Sequence, residues 1–308
     1  MCCPLTNTGS GRDFGSKPTV NLIDGCRGGI TQKLHSIWLK SWVEPHTSNT
    51  GPLVHHKTTL PRNMQNAVME HAELIDQVRL LHKEREHQGA YDLLSKHLNG
   101  NKYKRVLYEN HPIWWSDIST ARCILSRRSS LDAPFIRTTW GNKEFLNSFH
   151  RYANPLPESS KDLESLLERE YLSLISASKS LHWVIKDKKG IPWGVISITG
   201  IAMLHKRGEL LVGLIKGAPT GLSASAMLTL FQFYFRAINF NKLTALMFEE
   251  NTGALKGAKH IGFKEEGRLK KHVFDPSSKT YVDLIQLGLL SEDALSEKNK
   301  RTMERLLK

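Results

Sequence analysis

Residues 121–290 predict a mixed α/β (α+β) fold, a central mixed sheet with helices on both faces, and three observations carry that reading. Short apolar runs alternate with longer helical stretches, the order expected when helices pack on both sides of a sheet. Glu209-Leu-Leu-Val-Gly-Leu-Ile215 runs through the loop Lys216-Gly-Ala-Pro-Thr-Gly221 into the apolar stretch Leu222–Ile238, a strand–loop–helix unit. Residues 263–274 and 280–290 flank Asp275-Pro-Ser-Ser278, so the region closes on a two-stranded hairpin.

Taken in order, residues 1–60 mix Gly, Ser, Thr, Pro and His without sustained periodicity and read as irregular or flexible. Within them Ile37-Trp-Leu-Lys-Ser-Trp-Val43 is a short apolar stretch able to dock. Residues 61–112 read as an N-terminal helical appendage. Leu74, Val78, Leu80 and Leu81 form a helical stripe, Gln88-Gly-Ala90 breaks it, and Tyr91–Leu98 is a second helix. This unit packs on the following domain or mediates a homodimer. The domain itself spans 119–290, with a strand at 121–128, helices across 132–150 and a loop containing Asn154-Pro-Leu-Pro157. Ser159 and Ser160 cap a helix at 160–179. Strands at 182–187 and 191–200 turn through Asp187-Lys-Lys-Gly190. A strand at 208–215, a helix at 222–238, a strand at 242–249 and a helix at 251–260 precede the hairpin, and 291–308 forms a helical tail.

Composition bounds the function. Of 308 residues, 40% are apolar and 24% charged, ordinary for a globular protein with one good core. The longest mostly apolar run, Leu222–Phe235, is too short to span a bilayer, and Met1-Cys-Cys-Pro-Leu-Thr-Asn7 lacks a signal peptide's apolar core. The four cysteines make neither a metal spacing nor a disulfide framework and read as free thiols in a cytoplasmic protein. His55-His56, His82 and His87 lack the His-x3-His spacing of a metal site and read as solvated. The formal charge is +13, but its clusters (Lys102–Arg105, Arg127-Arg128, Lys264–His272) are short and not interleaved with aromatics. That argues against specific nucleic-acid recognition and for a generally basic surface suited to an acidic partner, a ribosome or an anionic cofactor.

A strand that passes through a tight turn into a helix aims the helix's free N–H groups at the turn, where they favour an anion. The loop Lys216–Gly221 therefore suits phosphate or pyrophosphate. Asn251-Thr-Gly-Ala opens the next helix, and Ile261-Gly-Phe-Lys-Glu-Glu-Gly267 leads into the hairpin. In this order and spacing, with Ala121–Arg128, His182–Ile198 and Tyr281–Leu290, the region resembles the GNAT N-acetyltransferase superfamily, most closely its ribosomal-protein (RimJ/RimL-like) branch.

The resemblance implies an enzyme that moves acetyl from acetyl-coenzyme A, with no metal, to a primary amine such as a protein N-terminus or an amino sugar. It implies that Leu214 and Ile215 offer backbone groups to the acetyl and pantetheine portion. Lys216, Gly217, Ala218 and Gly221, with Leu222 and Ser223, would cradle the pyrophosphate, and Asn251 would hydrogen-bond the pantetheine arm. Glu209 resembles the family glutamate that serves as general base; a pair with Arg207 or Lys206 is the other reading. Two departures stand out. Pro219 replaces a loop glycine and has no N–H to give an anion, and Ala258 and Ala254 occupy positions where relatives place a tyrosine or serine acid. Two alternatives stay open: a degraded GNAT fold that binds coenzyme A or a partner without turnover, and a ribosome- or RNA-associated basic protein. Arg137, Lys143, Arg151, Lys270 and Lys271 line the expected acceptor rim, which implies an acceptor of acidic character.

Overall fold

The computed structural model describes residues 62–149, 153–275 and 278–307. Ile37–Val43, His55-His56, Cys2, Cys3 and Arg151 lie outside them. The described residues form a mixed eight-stranded sheet of order β1-β2-β3-β4-β5-β6-β8-β7. The strands are β1 (Ile118–Ser119), β2 (Ile124–Arg127), β3 (Leu181–Lys186), β4 (Pro192–Ala202), β5 (Arg207–Leu214), β6 (Lys242–Phe248), β7 (Lys264–Asp275) and β8 (Thr280–Leu290). Every pairing is antiparallel except that of β5 with β6.

Helices α1 (Arg62–Lys83), α2 (His87–His97) and α3 (Lys104–Glu109) precede the sheet. Between β2 and β3 lie α4 (Ala133–Trp140), α5 (Lys143–Phe149), α6 (Ser160–Tyr171) and the single turn α7 (Ile175–Ser178). The helix α8 (Leu222–Phe231) crosses from β5 to β6, and α9 (Thr252–His260) links β6 to β7. The chain ends in α10 (Ser291–Ala294) and α11 (Glu297–Leu307).

The two faces of the sheet are covered by different helices. Ala133, Ile136, Phe145, Leu163 and Leu167 of α4–α6 pack on Val195 of β4. On the opposite face Phe233, just past α8, meets Trp183 edge-on at 5.6 Å, and Tyr234 lies over Gly208. Gly208 is required there: a Cβ would sit 2.7 Å from the Ile198 Cγ2.

Four sequence expectations change. The predicted helix 160–179 stops at Tyr171, and its last turn is the separate α7, closed by Lys179 in the left-handed region (φ 50°). The predicted helix 222–238 is α-helical only to Phe231 and winds as a wider π-turn over Gln232–Ala237. The predicted break at Gln88-Gly-Ala90 lies instead at Glu84–Glu86, where Arg85 adopts φ 66°, and Gly89 sits inside α2. Leu80 is more than half exposed; Val78, Ala90, Leu94 and Leu98 form the helical core, with Leu74 and Leu81 against it.

His82 and His87 are buried, not solvated. The left-handed turn at Arg85 folds α2 back on α1, so the two rings meet with Nδ1 atoms 3.1 Å apart. His82 Nε2 lies 3.2 Å from Asn110 Oδ1, and His87 Nε2 lies 3.2 Å from the Tyr171 hydroxyl of α6. His82 also stacks on Trp115 at 3.8 Å. Arg85 and Arg127 flank the pair, each with its guanidinium over the Tyr171 ring, and Asp117 accepts from Arg85 and from the Arg127 backbone N–H. This junction ties α1–α3 to β2 and α6.

Burial first, then His87 acting on His82, and Arg85 and Arg127 acting on His87, push both histidines down to about 4. The folded state thus keeps both rings neutral while the unfolded chain protonates them near 6.5. Stability is full above that value and falls as the pH drops from about 6.5 toward 4. Between pH 7 and pH 5 the loss should be about 2 kcal/mol or more. Urea denaturation at the two pH values measures it, and the variant His82→Gln/His87→Gln should show a flatter profile. Equal stability of the parent at pH 5 and pH 7 would contradict this account.

Candidate active site

The parallel pairing of β5 and β6 is short. It comprises Arg207 with Lys242, Gly208 with Leu243, and Glu209 with Thr244, and then stops. Both strands continue on their outer sides. β5 stays paired to β4 as far as Leu214, and β6 to β8 as far as Phe248. The inner backbone edges of 210–214 and 245–248 therefore diverge and have no strand between them.

A cavity of about 320 Å³ fills the wedge. Its walls are Leu210–Leu214 and Ala245–Phe248, with Phe149 of α5 on one face and Ser223 and Met227 of α8 on the other. The wedge stays open because α9 offers it only Gly253, Ala254, Gly257 and Ala258. Buried backbone N–H and C=O groups need partners. An apolar cleft edged by two unpaired strand backbones thus suits an extended ligand that is itself rich in amides.

At the open end of the wedge, β5 runs into the loop 215–221. Gly217 and Gly221 take φ 88° and 82°, and no atom lies within 4 Å of a Cβ built on either. Ile215 donates its N–H to the Trp193 carbonyl, Ala218 to the Ile215 carbonyl and Leu222 to the Pro219 carbonyl. A helix leaves its first N–H groups without internal acceptors, and with the Leu222 N–H engaged, those of Ser223 and Ala224 remain for an anion. Pro219 contributes a carbonyl to the turn and no donor.

Asn251 caps α9, its Oδ1 accepting from the Ala254 N–H at 3.3 Å, and it lines the cavity at the same time. The cap uses the side-chain oxygen, which leaves the amide N–H₂ to meet a ligand carbonyl. Of the residues singled out from sequence, Leu214, Ser223 and Asn251 line the cavity. Lys216, Gly217, Ala218 and Gly221 form the adjoining loop. Ile215 packs instead beside the α4–α6 core, and Leu222 is buried. Glu209 occupies the last paired position, half-buried at the apex where the wedge opens.

Sequence reasoning missed Phe149, Met227 and the β6 wall, since a cleft between strands leaves no local motif. The hairpin acids Glu266 and Asp283 form ion pairs: Glu266 with Lys242 at 2.7 Å, and Asp283 with Arg268 at 2.8 Å. Among the described residues no cluster of three or more His, Cys, Asp or Glu could hold a metal ion.

Residues 122–264 match the family model described as the acetyltransferase (GNAT) domain. That segment is a GNAT acetyltransferase domain. It holds the wedge, the loop and Asn251, and enzymes of this kind draw their acetyl group from acetyl-coenzyme A. The uncharacterized N-acetyltransferase YoaA of Bacillus subtilis (strain 168) is 21% identical over 169 residues, covering 51% of this chain and 88% of that protein. A solved structure described as an acetyltransferase is 19% identical and covers 62% of this chain and 94% of its own, with a TM-score of 0.50; the likeness is one of fold. The spermidine N-acetyltransferase of Vibrio cholerae, solved with CoA and spermine, is 21% identical over 56% of this chain and 98% of its own, with a TM-score of 0.49.

The open space beside Gly221 gives a sharp test of the loop. Gly221→Val would force a β-branched residue to φ 82° and fill the volume an anion needs. It should weaken acetyl-coenzyme A binding about tenfold or more, whereas Pro219→Gly should restore a donor and tighten it by up to about tenfold. Calorimetric titration of both variants reads the two effects, and parental affinity in Gly221→Val would remove the loop from the site.

Proposed function

We propose that the protein moves an acetyl group directly from acetyl-coenzyme A to a primary amine (a protein N-terminus, an amino sugar or another small amine), with Glu209 as general base. The observation that carries the reading is the end of β5–β6 pairing at Glu209 and Thr244. It creates the wedge, leaves strand edges able to bind the pantetheine amides, and has Glu209 as the last paired residue of β5. In this reading Leu214, Ile215 and Asn251 hold the pantetheine arm. The loop Lys216, Gly217, Ala218, Gly221, Leu222 and Ser223 holds the pyrophosphate, with the Lys216 charge in place of the donor missing at Pro219.

The acceptor amine attacks the thioester carbonyl as Glu209 takes its proton, directly or through water, and the carbon–sulfur bond breaks to release the thiolate. No tyrosine or serine stands at Ala258 or Ala254 to protonate that sulfur. A thiolate is a good leaving group in its own right and can depart before it is protonated, so these departures are compatible with turnover. The buried free thiol of Cys123 suits a reducing, cytoplasmic setting.

Release of free thiol from acetyl-coenzyme A in the presence of an amine panel tests the function. Glu209→Gln should bind cofactor like the parent and lose about a hundredfold in turnover, most severely at low pH where the amine is held protonated. Cofactor binding with no turnover on any amine would instead identify a degraded fold that only binds coenzyme A.

A further inference from the structure

The last hairpin carries a distortion that neither the sheet nor the wedge requires. Leu269 of β7 faces Leu284 of β8, and Val273 faces Val282, so β7 uses four steps where β8 uses two. The two additional residues belong to the bulge Lys270-Lys271-His272, all three exposed. Lys271 sits at φ 49°, unusual for a side-chain-bearing residue, and its N–H donates to Asp283 Oδ1 at 2.7 Å. A bulge re-aims side chains, and backbone strain kept in place by a specific bond points to a use for those side chains.

The bulge is also tied to the mouth of the wedge. Phe248 lines the cavity, and the next residue, Glu249, receives both terminal nitrogens of Arg268 at 2.7 and 3.1 Å. Arg268 Nε in turn donates to Asp283 Oδ2 at 2.8 Å. Arg268 is thus neutralised by Glu249 and Asp283, and these same acids are occupied by it. Because β8 runs antiparallel to β6, the bulge emerges at the end of the sheet where β6 ends and the wedge opens. Arg137 does not add to this rim: its guanidinium donates to the Pro157 and Ser159 carbonyls.

Resting on the acetyltransferase reading above, we propose that the bulge Lys270-Lys271-His272, held by Asp283, selects amine acceptors that are peptides with acidic residues following their N-terminus. Lys270 and Lys271 are adjacent and exposed, and the neighbouring acids Asp283 and Glu249 are taken up by Arg268. Their positive charge at the mouth of the wedge therefore suits carboxylates that follow the amine of an incoming peptide. Charge complementarity of this exposed kind acts through selection among partners and is weakened by salt.

The test uses the full-length protein and three peptides of equal length whose second to fourth residues are acidic, neutral or basic. For the parent, kcat/KM should be highest for the acidic peptide, and the preference should shrink as salt is raised. Lys270→Glu/Lys271→Glu should lower the acidic-to-neutral ratio about tenfold through KM, with acetyl-coenzyme A affinity retained. Asp283→Ala separates placement from net charge: it makes the hairpin more positive yet frees the bulge, so the acidic preference should fall. A rise in that preference would show that only net charge matters and overturn the positioning role. A parent that acetylates all three peptides equally, or prefers the basic one, would overturn the selectivity while leaving the acetyltransferase reading intact. Lost affinity in the lysine variant for coenzyme A but not for its 3′-dephospho form would assign the bulge to the cofactor and also overturn it. Cofactor binding with no acetylation of any amine would sink both.

Discussion

One parallel pairing in an otherwise antiparallel sheet organises this molecule. An antiparallel neighbour would have brought β6 back along β5, with the next loop at the opposite end of the sheet. The parallel register, reached through the crossover helix α8, puts the C-terminal ends of β5 and β6 side by side. Loop 215–221 and Asn251 therefore share one end, and β8, antiparallel to β6, returns the last hairpin there too. Crevices at the carboxyl ends of parallel strands recur as ligand sites for this topological reason. Here the pairing lasts three residues, and its early end matters as much as its direction. The outer partners β4 and β8 hold each strand straight through the opening, so the divergence leaves a lined cleft and not a frayed edge.

Packing decides whether such a wedge stays empty. Larger side chains from α9 would fill it, and the sheet would gain core at the expense of the cleft. Gly253, Ala254, Gly257 and Ala258 forgo that burial, while Phe149, Met227 and Phe263 keep the remaining walls apolar. Gly213 shows the opposite constraint. A Cβ on it would stand 2.8 Å from Phe149, so α5 approaches the backbone of β5 directly and closes one side of the cleft. Absent side chains thus do two different jobs, an open space over α9 and a close contact under α5.

Much of the sheet was legible in the sequence because its strands are short apolar runs punctuated by glycine and asparagine, and the Asp187–Gly190 turn falls where its residues demand. Ser159 was readable as a cap for the same local reason: its Oγ accepts from the Asp162 N–H. Features that depend on distant partners were not legible. The two-residue β1 has no pattern of its own and exists by pairing with β2. The wide turn after Phe231 and the left-handed residues Arg85 and Lys179 carry no glycine to announce them. At the site, the loop and Asn251 follow from residue type and order, but the wedge follows from where a register stops. The histidines failed for a related reason. His82 and His87 are polar in a linear reading, and only the turn between them makes each the other's partner.

That histidine pair also shows how polar groups can hold a junction without charge. With both rings neutral, one assignment places a proton on every link. The Tyr171 hydroxyl donates to His87 Nε2, His87 Nδ1–H to His82 Nδ1, His82 Nε2–H to Asn110 Oδ1, and the Asn110 amide to the Val106 carbonyl. One added proton, whose charge burial opposes, can find a partner at His87 Nε2 by reversing the first link alone, the Tyr171 hydroxyl turning to the His82 carbonyl at 3.2 Å. A second cannot, since two N–H groups would then oppose each other across 3.1 Å beside Arg85 and Arg127. Buried networks of this kind stabilise only when every member is satisfied. The four side chains come from α1, α2, α6 and the residue after α3, so the chain is complete only when these elements are docked together. The helices before the sheet are therefore joined to the acetyltransferase domain by a cooperative contact, at the edge of the sheet remote from the β7–β8 hairpin.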